Sequence, residues 1–365
     1  LAVLKLVAAS DVVGAQLAVI DALAGRQALF ITPPEVNGLM PEVHGLPDQV
    51  EDQVAFIIES SGSSGTPKRI RHSAAAALAA ARLSAQRLGV QGQWLLALPI
   101  NYVAGLNVLV RSAVAETQPV VMNTAVSFTA EAFVLNTSML RHEHKFTALV
   151  PTQLQRLAIA ATHDETVLRA LRSYDAILVG GQSVPSNLIE QLMDQHVNLV
   201  ETYGAAETFG GVVYNGSPLD EVAISFDSQD RIAITSPTLS IDAQPKLITN
   251  DVGELADGKL RVLGRIDRVI ISGGIKISLD RVEAIASAVG GVVEVAATAL
   301  DDDEWGQRVG IAFLGSPEVA DEVASQLAEM LGPAAKPLRI IRVDRVPKLS
   351  NQKHDLLAIR QLFGN

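Results

Sequence analysis

Ser60-Ser61-Gly62-Ser63-Ser64-Gly65-Thr66-Pro67-Lys68 is a loop dense in hydroxyls and glycine, closed by Pro and Lys. The apolar run before it, Val54-Ala55-Phe56-Ile57-Ile58, reads as a buried strand. After it come Ser73 and an alanine-rich helical stretch to about Leu88. Strand, Gly/Ser loop, helix is a layout that presents backbone N–H groups and hydroxyls to phosphate oxygens. Gly62 and Gly65 let the backbone approach closely, and Lys68 can neutralise charge on a polyphosphate. Taken alone the stretch could equally be a flexible linker. It is not a Walker A loop, because no Gly-Lys-Ser/Thr follows at the required spacing.

From this loop onward the chain alternates. Trp94–Leu98, Pro119–Met122, Thr147–Val150, Ala176–Val179 and Val197–Glu201 read as strands, and Glu131–Leu135, Thr152–Ala161 and Pro185–His196 as helices. That rhythm predicts doubly wound parallel sheets with helices on both faces. Ligands in such sheets sit at the carboxyl ends of strands. Glycine and polar clusters fall at those ends: after Ile58, Leu98, Val179 and Glu201. In residues 1–50 only Val12–Ala24 (helix) and Ala28–Ile31 (strand) are legible.

Between Val212 and Val262 the texture changes to short strand pieces, Ala223–Phe226, Arg231–Ile234 and Lys259–Val262. These predict a small antiparallel, barrel-like region. Beyond Gly264 a compact α+β unit is expected: helix Asp280–Val289, strands Val293–Leu300 and Val309–Leu314, helix Glu318–Leu331, strand Leu338–Val343 and a last helix ending near Phe363. The domain expectation is 1–265 for a large N-terminal domain and 266–365 for a small, mobile C-terminal one.

Composition narrows the function. Of 365 residues, 48% are hydrophobic and 19% charged, as in a globular chain. With 29 Lys and Arg against 40 Asp and Glu the net charge is -11, which argues against nucleic-acid binding but not against a local nucleotide site. The chain has no cysteine, which excludes disulfides, thiolate metal sites and cysteine nucleophiles. No apolar run approaches the ~20 residues of a membrane helix. Leu1–Ala9 looks like the start of a globular domain and not a signal peptide, so a cytoplasmic location is expected. The histidines show no metal-ligand spacing. A homodimer is the commonest assembly for enzymes generally.

Further clusters, in a fixed order, make the loop specific. They are Tyr203-Gly204-Ala205-Ala206-Glu207, Thr249-Asn250-Asp251, Gly264-Arg265-Ile266-Asp267, Gly273-Gly274-Ile275-Lys276 with Glu283, and Lys353 six residues after Pro347. Singly each has an ordinary reading, such as a surface lysine or ion pair. As a series over roughly residues 54–365, they resemble the adenylate-forming superfamily: acyl-CoA synthetases, peptide-synthetase adenylation domains and luciferases. The short length, Leu98 to Leu106 and Val110-Arg111-Ser112 look most like the o-succinylbenzoate–CoA ligases of menaquinone synthesis.

The resemblance implies an AMP-forming acid–thiol ligase. A carboxylate attacks the α-phosphate of ATP, giving an acyl adenylate, and coenzyme A then takes the acyl group. Two anions must meet, so positioning and charge neutralisation dominate. By resemblance, Ser60, Ser61, Gly62, Ser63, Ser64, Gly65 and Lys68 hold the β- and γ-phosphates. Glu207 holds Mg²⁺. Gly180, Gly181 and Gln182 approach the adenine, Tyr203 stacks on it, and Gly204 and Thr208 flank the phosphate. Asp251 takes the ribose hydroxyls, with Arg265 near the sugar or the phosphates. Lys353 bridges the attacking carboxylate and the α-phosphate. Asp267 is the hinge for a domain rotation, and Gly273 and Gly274 line the pantetheine tunnel. Asn101, Tyr102 and Arg111 fall on the acyl side, with Arg111 the candidate partner of a second carboxylate.

The sequence departs from the family pattern at four places. Ala206 replaces the usual Thr or Ser, Tyr102 the His of the acyl-pocket loop, Asn250 the Gly before the ribose-binding Asp, and Gln352 the Gly before the catalytic Lys. Rival readings are another aryl or fatty acyl-CoA synthetase, a peptide-synthetase adenylation domain, and a non-catalytic nucleotide-binding homologue. A carrier domain would normally follow the second, and none follows within this chain. Retention of Lys68, Glu207, Asp251, Arg265 and Lys353 argues against the third.

Overall fold

The first thirty residues, where periodicity names only a helix and a short strand, fold as a full βαβ unit. β1 (Ala2–Ala8) and β2 (Ala28–Thr32) pair in parallel, Leu4 opposite Ala28, with α1 (Val12–Leu23) crossing between them. The side chain of Asp11 starts α1 by accepting the Gly14 N–H at 2.8 Å. The structure, a computed structural model, describes residues 1–60, 68–182, 184–349 and 354–364.

β3 (Gln49–Val50), β4 (Phe56–Ser60) and β5 (Lys68–His72) complete a five-stranded sheet of order β3-β1-β2-β4-β5. Its centre is parallel and both edges are antiparallel. Here the expected strand–loop–helix layout needs correcting. β5 stands between the Ser/Gly stretch and the helix, pairing antiparallel with β4 from Ser60 opposite Lys68 to Phe56 opposite His72. α2 (Ala74–Leu88) starts only after Ser73, whose side chain accepts the Ala76 N–H at 3.1 Å. The physical reason is an alternation: Ile70 and His72 are buried while their neighbours face outward. The stretch therefore joins two antiparallel strands and does not lead directly into a helix N-terminus.

The second sheet follows β6 (Gln93–Leu96), α3 (Val103–Val114), β7 (Val120–Val121), α4 (Ala130–Ser138), β8 (Lys145–Leu149), α5 (Pro151–Ala161), α6 (Glu165–Arg172), β9 (Ala176–Gly180), α7 (Ser186–Asp194), β10 (Leu199–Ala205), β11 (Gly210–Tyr214) and β12 (Ser217–Pro218). Strand order is β12-β11-β10-β9-β8-β6-β7, parallel from β10 to β7 and antiparallel at β11 and β12. The order reverses between β6 and β8, the kind of switch point where a parallel sheet opens a crevice.

One core cluster joins α1, α2 and α3 to both sheets, through residues such as Val19, Leu29, Phe56, Leu83, Leu96, Val108 and Phe146. A second, around Leu95, Phe133, Leu154, Leu171, Tyr174 and Ile177, covers the other face of the second sheet with α4–α6. α3 was not legible as a helix because Gly105 to Ser112 are all buried, which leaves no polar stripe to mark the 3.6 period. α6 is absent from the expected elements although it carries an ordinary amphipathic stripe.

The chain divides into two compact units, one of Leu1–Val184, Leu188–Ile224 and Ile234–Leu247, the other of Pro185–Asn187, Ser225–Ala233 and Ile248–Asn365. β13 (Ala223–Phe226), β14 (Arg231–Thr235), β15 (Leu247–Ala256) and β16 (Lys259–Arg265) form the expected small sheet, β15 and β16 antiparallel, most of it in the second unit. The rest of that unit is α+β, as expected. β17 (Val269–Ser272), β18 (Ile275–Ser278), β19 (Val292–Asp302), β20 (Gly306–Gly315) and β21 (Arg339–Arg342) make one sheet. α8 (Leu279–Ala288) and α9 (Ala320–Leu331) bury Val282, Ala286, Val323 and Leu327 against one face of it, and α10 (Leu356–Gln361) packs on the other through Ile359, against Ala296, Leu300 and Ala312. Among the described residues, no helix is long and apolar enough to cross a membrane.

Candidate active site

In the first unit, predicted residues 139 positions apart meet. Lys68 Nζ lies 3.2 Å from Glu207 Oε1. Lys68 opens β5, and Glu207 sits in a single 3₁₀ turn after β10, at the carboxyl end of the second sheet. Glu207 is only 22% exposed and faces a cation, an environment that suits a carboxylate meant to hold positive charge.

The turn bearing Glu207 is held on every side. The Ala206 carbonyl oxygen lies 2.7 Å from His72 Nε2. The Glu207 carbonyl accepts the Ser240 N–H at 2.7 Å. Phe209 follows in a left-handed conformation (φ 51°), which costs a non-glycine residue about 1–2 kcal/mol. Its ring is fully buried edge-on to His72 and Phe56, and its carbonyl accepts Asn107 Nδ2 at 2.5 Å. These contacts offset the strain. Burial lowers the His72 pKa to about 4, so the ring is neutral and donates from Nε2 to Ala206.

Sequence reasoning singles out Glu207 but neither His72 nor Asn107. Each is one polar residue in an apolar setting, and only the fold shows that both grip the same turn. Asn107 falls one helical turn after Val103 on α3, so the helix that follows Asn101 and Tyr102 also supports the carboxylate turn.

Thr208 is fully buried, with its hydroxyl 2.8 Å from the Ala205 N–H and 2.6 Å from the Gly210 carbonyl. It closes the turn from within. The hydroxyl missing at Ala206 is thus not replaced by an outward-facing one at Thr208. Gly180 ends β9 where a Cβ would stand 2.3 Å from Thr202 Oγ1, and a Cβ on Gly204 would stand 2.0 Å from the Gly210 carbonyl. Both glycines are needed for strand approach. Gly181, Gln182 and Tyr203 lie at the same carboxyl ends of β9 and β10.

Asn101 and Tyr102, expected on the acyl side, precede α3, and Asn101 Oδ1 is buried without a hydrogen-bond partner among the described residues. Arg111 is not brought beside them. It lies nine residues from Tyr102 on α3, about 13 Å along the axis. There its guanidinium covers the Trp94 ring at 4.9 Å and its Nη2 donates to the Tyr214 hydroxyl at 3.1 Å.

In the second unit, Asp251 and Arg265 are register partners of β15 and β16, with Oδ1 and Nη1 3.3 Å apart. Arg265 also forks onto Asp267, Nε to Oδ1 at 2.8 Å and Nη2 to Oδ2 at 2.7 Å. Asn250, a departure from the family pattern, donates to the same Asp267 oxygen at 3.2 Å. Burial pushes the Asp267 carboxyl up, but Arg265 and Asn250 together hold it below its ordinary range. Nearby Arg268 bonds Asp280 and Glu283, and Glu283 accepts the Ala297 N–H at 2.7 Å. Gly273 and Gly274 form the two-residue turn between β17 and β18, at φ 55° and 82°. A Cβ on Gly273 would come within 2.7 Å of Trp305; one on Gly274 would meet nothing within 4 Å.

Ser60 ends β4. Ser61, Gly62, Ser63, Ser64, Gly65, Gln352 and Lys353 lie outside the described residues. No cluster of three or more metal-ligating side chains occurs among the described residues. A single carboxylate completed by phosphate oxygens is the usual way Mg²⁺ is held in nucleotide sites, and Glu207 fits that.

Comparison with known proteins finds matches at three levels: family, sequence relatives and solved structures. The family described as AMP-binding enzyme matches residues 6–259, and its C-terminal domain family matches 281–353. A protein of Mycobacterium tuberculosis named probable 2-succinylbenzoate–CoA ligase is 33% identical over 92% of this chain and 91% of its own length. A 2-succinylbenzoate–CoA ligase of Bacillus licheniformis is 28% identical over 87% of this chain and 72% of its own. Among solved structures, the o-succinylbenzoate CoA synthetase of Bacillus subtilis, in complex with its acyl-adenylate intermediate, superposes with a TM-score of 0.75 at 22% identity, over 94% of this chain and 81% of that one. An amide bond synthetase of Marinactinospora thermotolerans reaches the same TM-score, 0.75, at 18% identity over 99% of this chain and 80% of that one. Equal scores for two activities mean that the fold alone does not choose the reaction.

Proposed function

As the chain belongs to the AMP-binding enzyme family, we propose that it is an AMP-forming acid–CoA ligase that makes o-succinylbenzoyl-CoA, a step of menaquinone biosynthesis. The observation that carries the acid is the 33% identity, over nearly the full length of both chains, to the M. tuberculosis protein named for that substrate. The carrying geometry is the Lys68–Glu207 pair at 3.2 Å, a cation and a carboxylate held at the carboxyl end of the second sheet.

The chemistry assigned to these residues is charge management. In this reading Lys68 and the Ser/Gly stretch bind the β- and γ-phosphates. Glu207 holds Mg²⁺, which would neutralise phosphate charge. Asp251 takes the ribose hydroxyls, and Arg265, already oriented by Asp251 and Asp267, holds the sugar or phosphate edge. Lys353 joins the attacking carboxylate to the α-phosphate. The second half-reaction follows rotation of residues 266–365 about Asp267, with coenzyme A reaching the adenylate past Gly273 and Gly274. Asn101, with its unpartnered buried amide oxygen, and Tyr102 are assigned to the acyl side.

The test is acid-dependent pyrophosphate release from ATP and Mg²⁺ over a panel of carboxylic acids, with and without coenzyme A. Release with o-succinylbenzoate, and thioester only when coenzyme A is present, is expected. Release only with another acid would move the substrate and keep the mechanism. ATP binding with no release on any acid would overturn the ligase.

A further inference from the structure

On either side of the segment that carries Lys353, one acid bonds both a lysine and a histidine. Glu294, on β19, accepts Lys348 Nζ at 2.8 Å and faces His354 Nε2 at 3.1 Å, both at Oε1. The three side chains are 16–19% exposed, so the cluster is largely withdrawn from water. Ion pairs so placed are screened far less than surface ones. The backbones agree: Lys348 and His354 are antiparallel bridge partners, and the Asp355 N–H donates to the Pro347 carbonyl at 3.0 Å.

Both sides are rooted in the same small core. Val346, before Lys348, and Ile359 and Phe363, after His354, pack with Leu300 and Ala312. The side chain of Asp355 caps α10 by accepting the Ala358 N–H at 3.0 Å. Burial pushes Glu294 up, yet the bonds from His354 and Lys348 hold it below the ordinary carboxylate range, so it is ionised when it grips them. Lys353 is bonded directly to His354.

We propose that Glu294 is a positioning residue of the adenylation half-reaction: by drawing Lys348 and His354 together it sets the base from which Lys353 is presented. The proposal rests on the assignment of Lys353 given above. A side chain that must contact two anions at once gains from a fixed root, because misplacement by about 1 Å can cost on the order of 100-fold in rate. In that assignment the coenzyme A step does not use Lys353 and so does not need the Glu294 contacts.

Glu294→Gln keeps the shape and removes the charge; His354→Leu removes one partner and leaves Lys348. Both are assayed for pyrophosphate release and, separately, for thioester formation from supplied acyl adenylate and coenzyme A. Expected is a fall in release of about 10- to 100-fold with KM for ATP nearly unchanged, and thioester formation at the wild-type rate. Lys348→Arg, which keeps the cation, should stay near wild type. Equal loss of both half-reactions would make Glu294 merely structural and overturn the proposal; wild-type release by Glu294→Gln would do the same. Lys353→Ala separates the two levels. If it releases pyrophosphate normally, the assignment of Lys353 fails. If it is inactive while Glu294→Gln is not, only the role of Glu294 fails.

Discussion

His72 Nε2 lies 2.7 Å from the Ala206 carbonyl oxygen, and this contact ties an edge strand of the first sheet to the turn that presents Glu207. It makes a buried imidazole part of the carboxylate's support while leaving the ring neutral.

That neutrality has a pH consequence. The folded pKa of His72, about 4, lies below its ordinary value of 6.5. The unfolded chain therefore takes up the proton first as pH falls. The stabilisation is fully present above about pH 6.5 and is lost as pH drops toward 4. From pH 7 to 5 the loss is about 2 kcal/mol. Urea unfolding of wild type and His72→Leu at both pH values checks this: the wild type should lose that much more than the variant between them. An equal drop in both proteins would exclude His72 as the titrating group.

Lys68→Ala and Glu207→Gln should each cut pyrophosphate release by 100-fold or more, by analogy with the loss of other charge-stabilising groups, about 3 kcal/mol. Their thermal midpoints should hardly move, since Lys68 is 61% exposed and such pairs contribute at most about 1 kcal/mol to folding. A large fall in midpoint with activity retained would make the pair structural.

Arg111→Ala separates two roles. Its guanidinium lies over Trp94 and bonds a fully buried tyrosine hydroxyl, so truncation should destabilise the protein by about 2–4 kcal/mol. KM for the acid should stay within about twofold. A raised acid KM with an unchanged midpoint would instead return Arg111 to the acyl side.

Arg265→Lys keeps the charge but loses the fork onto Asp267. KM for ATP should rise about tenfold. An unchanged KM would remove Arg265 from the nucleotide.

Gly274→Ala strains a residue at φ 82° with open space around it, so about 1–2 kcal/mol of stability should go. Gly273→Ala should cost more, because its Cβ also meets Trp305. If pantetheine passes this turn, Gly274→Ala slows thioester formation and spares pyrophosphate release. Equal effects on both would leave the turn a purely structural hairpin.

Much of this molecule was legible before any fold was known. Short apolar strands alternating with helices specify parallel sheets, because burial on both faces needs continuous apolar runs and the crossover needs a helix. The ordered clusters around Lys68, Glu207, Asp251 and Arg265 point to anion chemistry, because charge type and spacing survive in the chain itself. Periodicity could not reveal β5, whose five residues include three basic ones, or α3, buried on every side.

What tertiary structure alone decided are meetings between distant residues: His72 with Ala206, Asn107 with Phe209, Asn250 with Asp267, and Glu294 with both Lys348 and His354. Each partner is an ordinary residue in its own segment. Local propensity and spacing act over a few residues, whereas these contacts close over distances of 17 to 134 residues and arise only once the hydrophobic cores fix which strands and turns lie side by side.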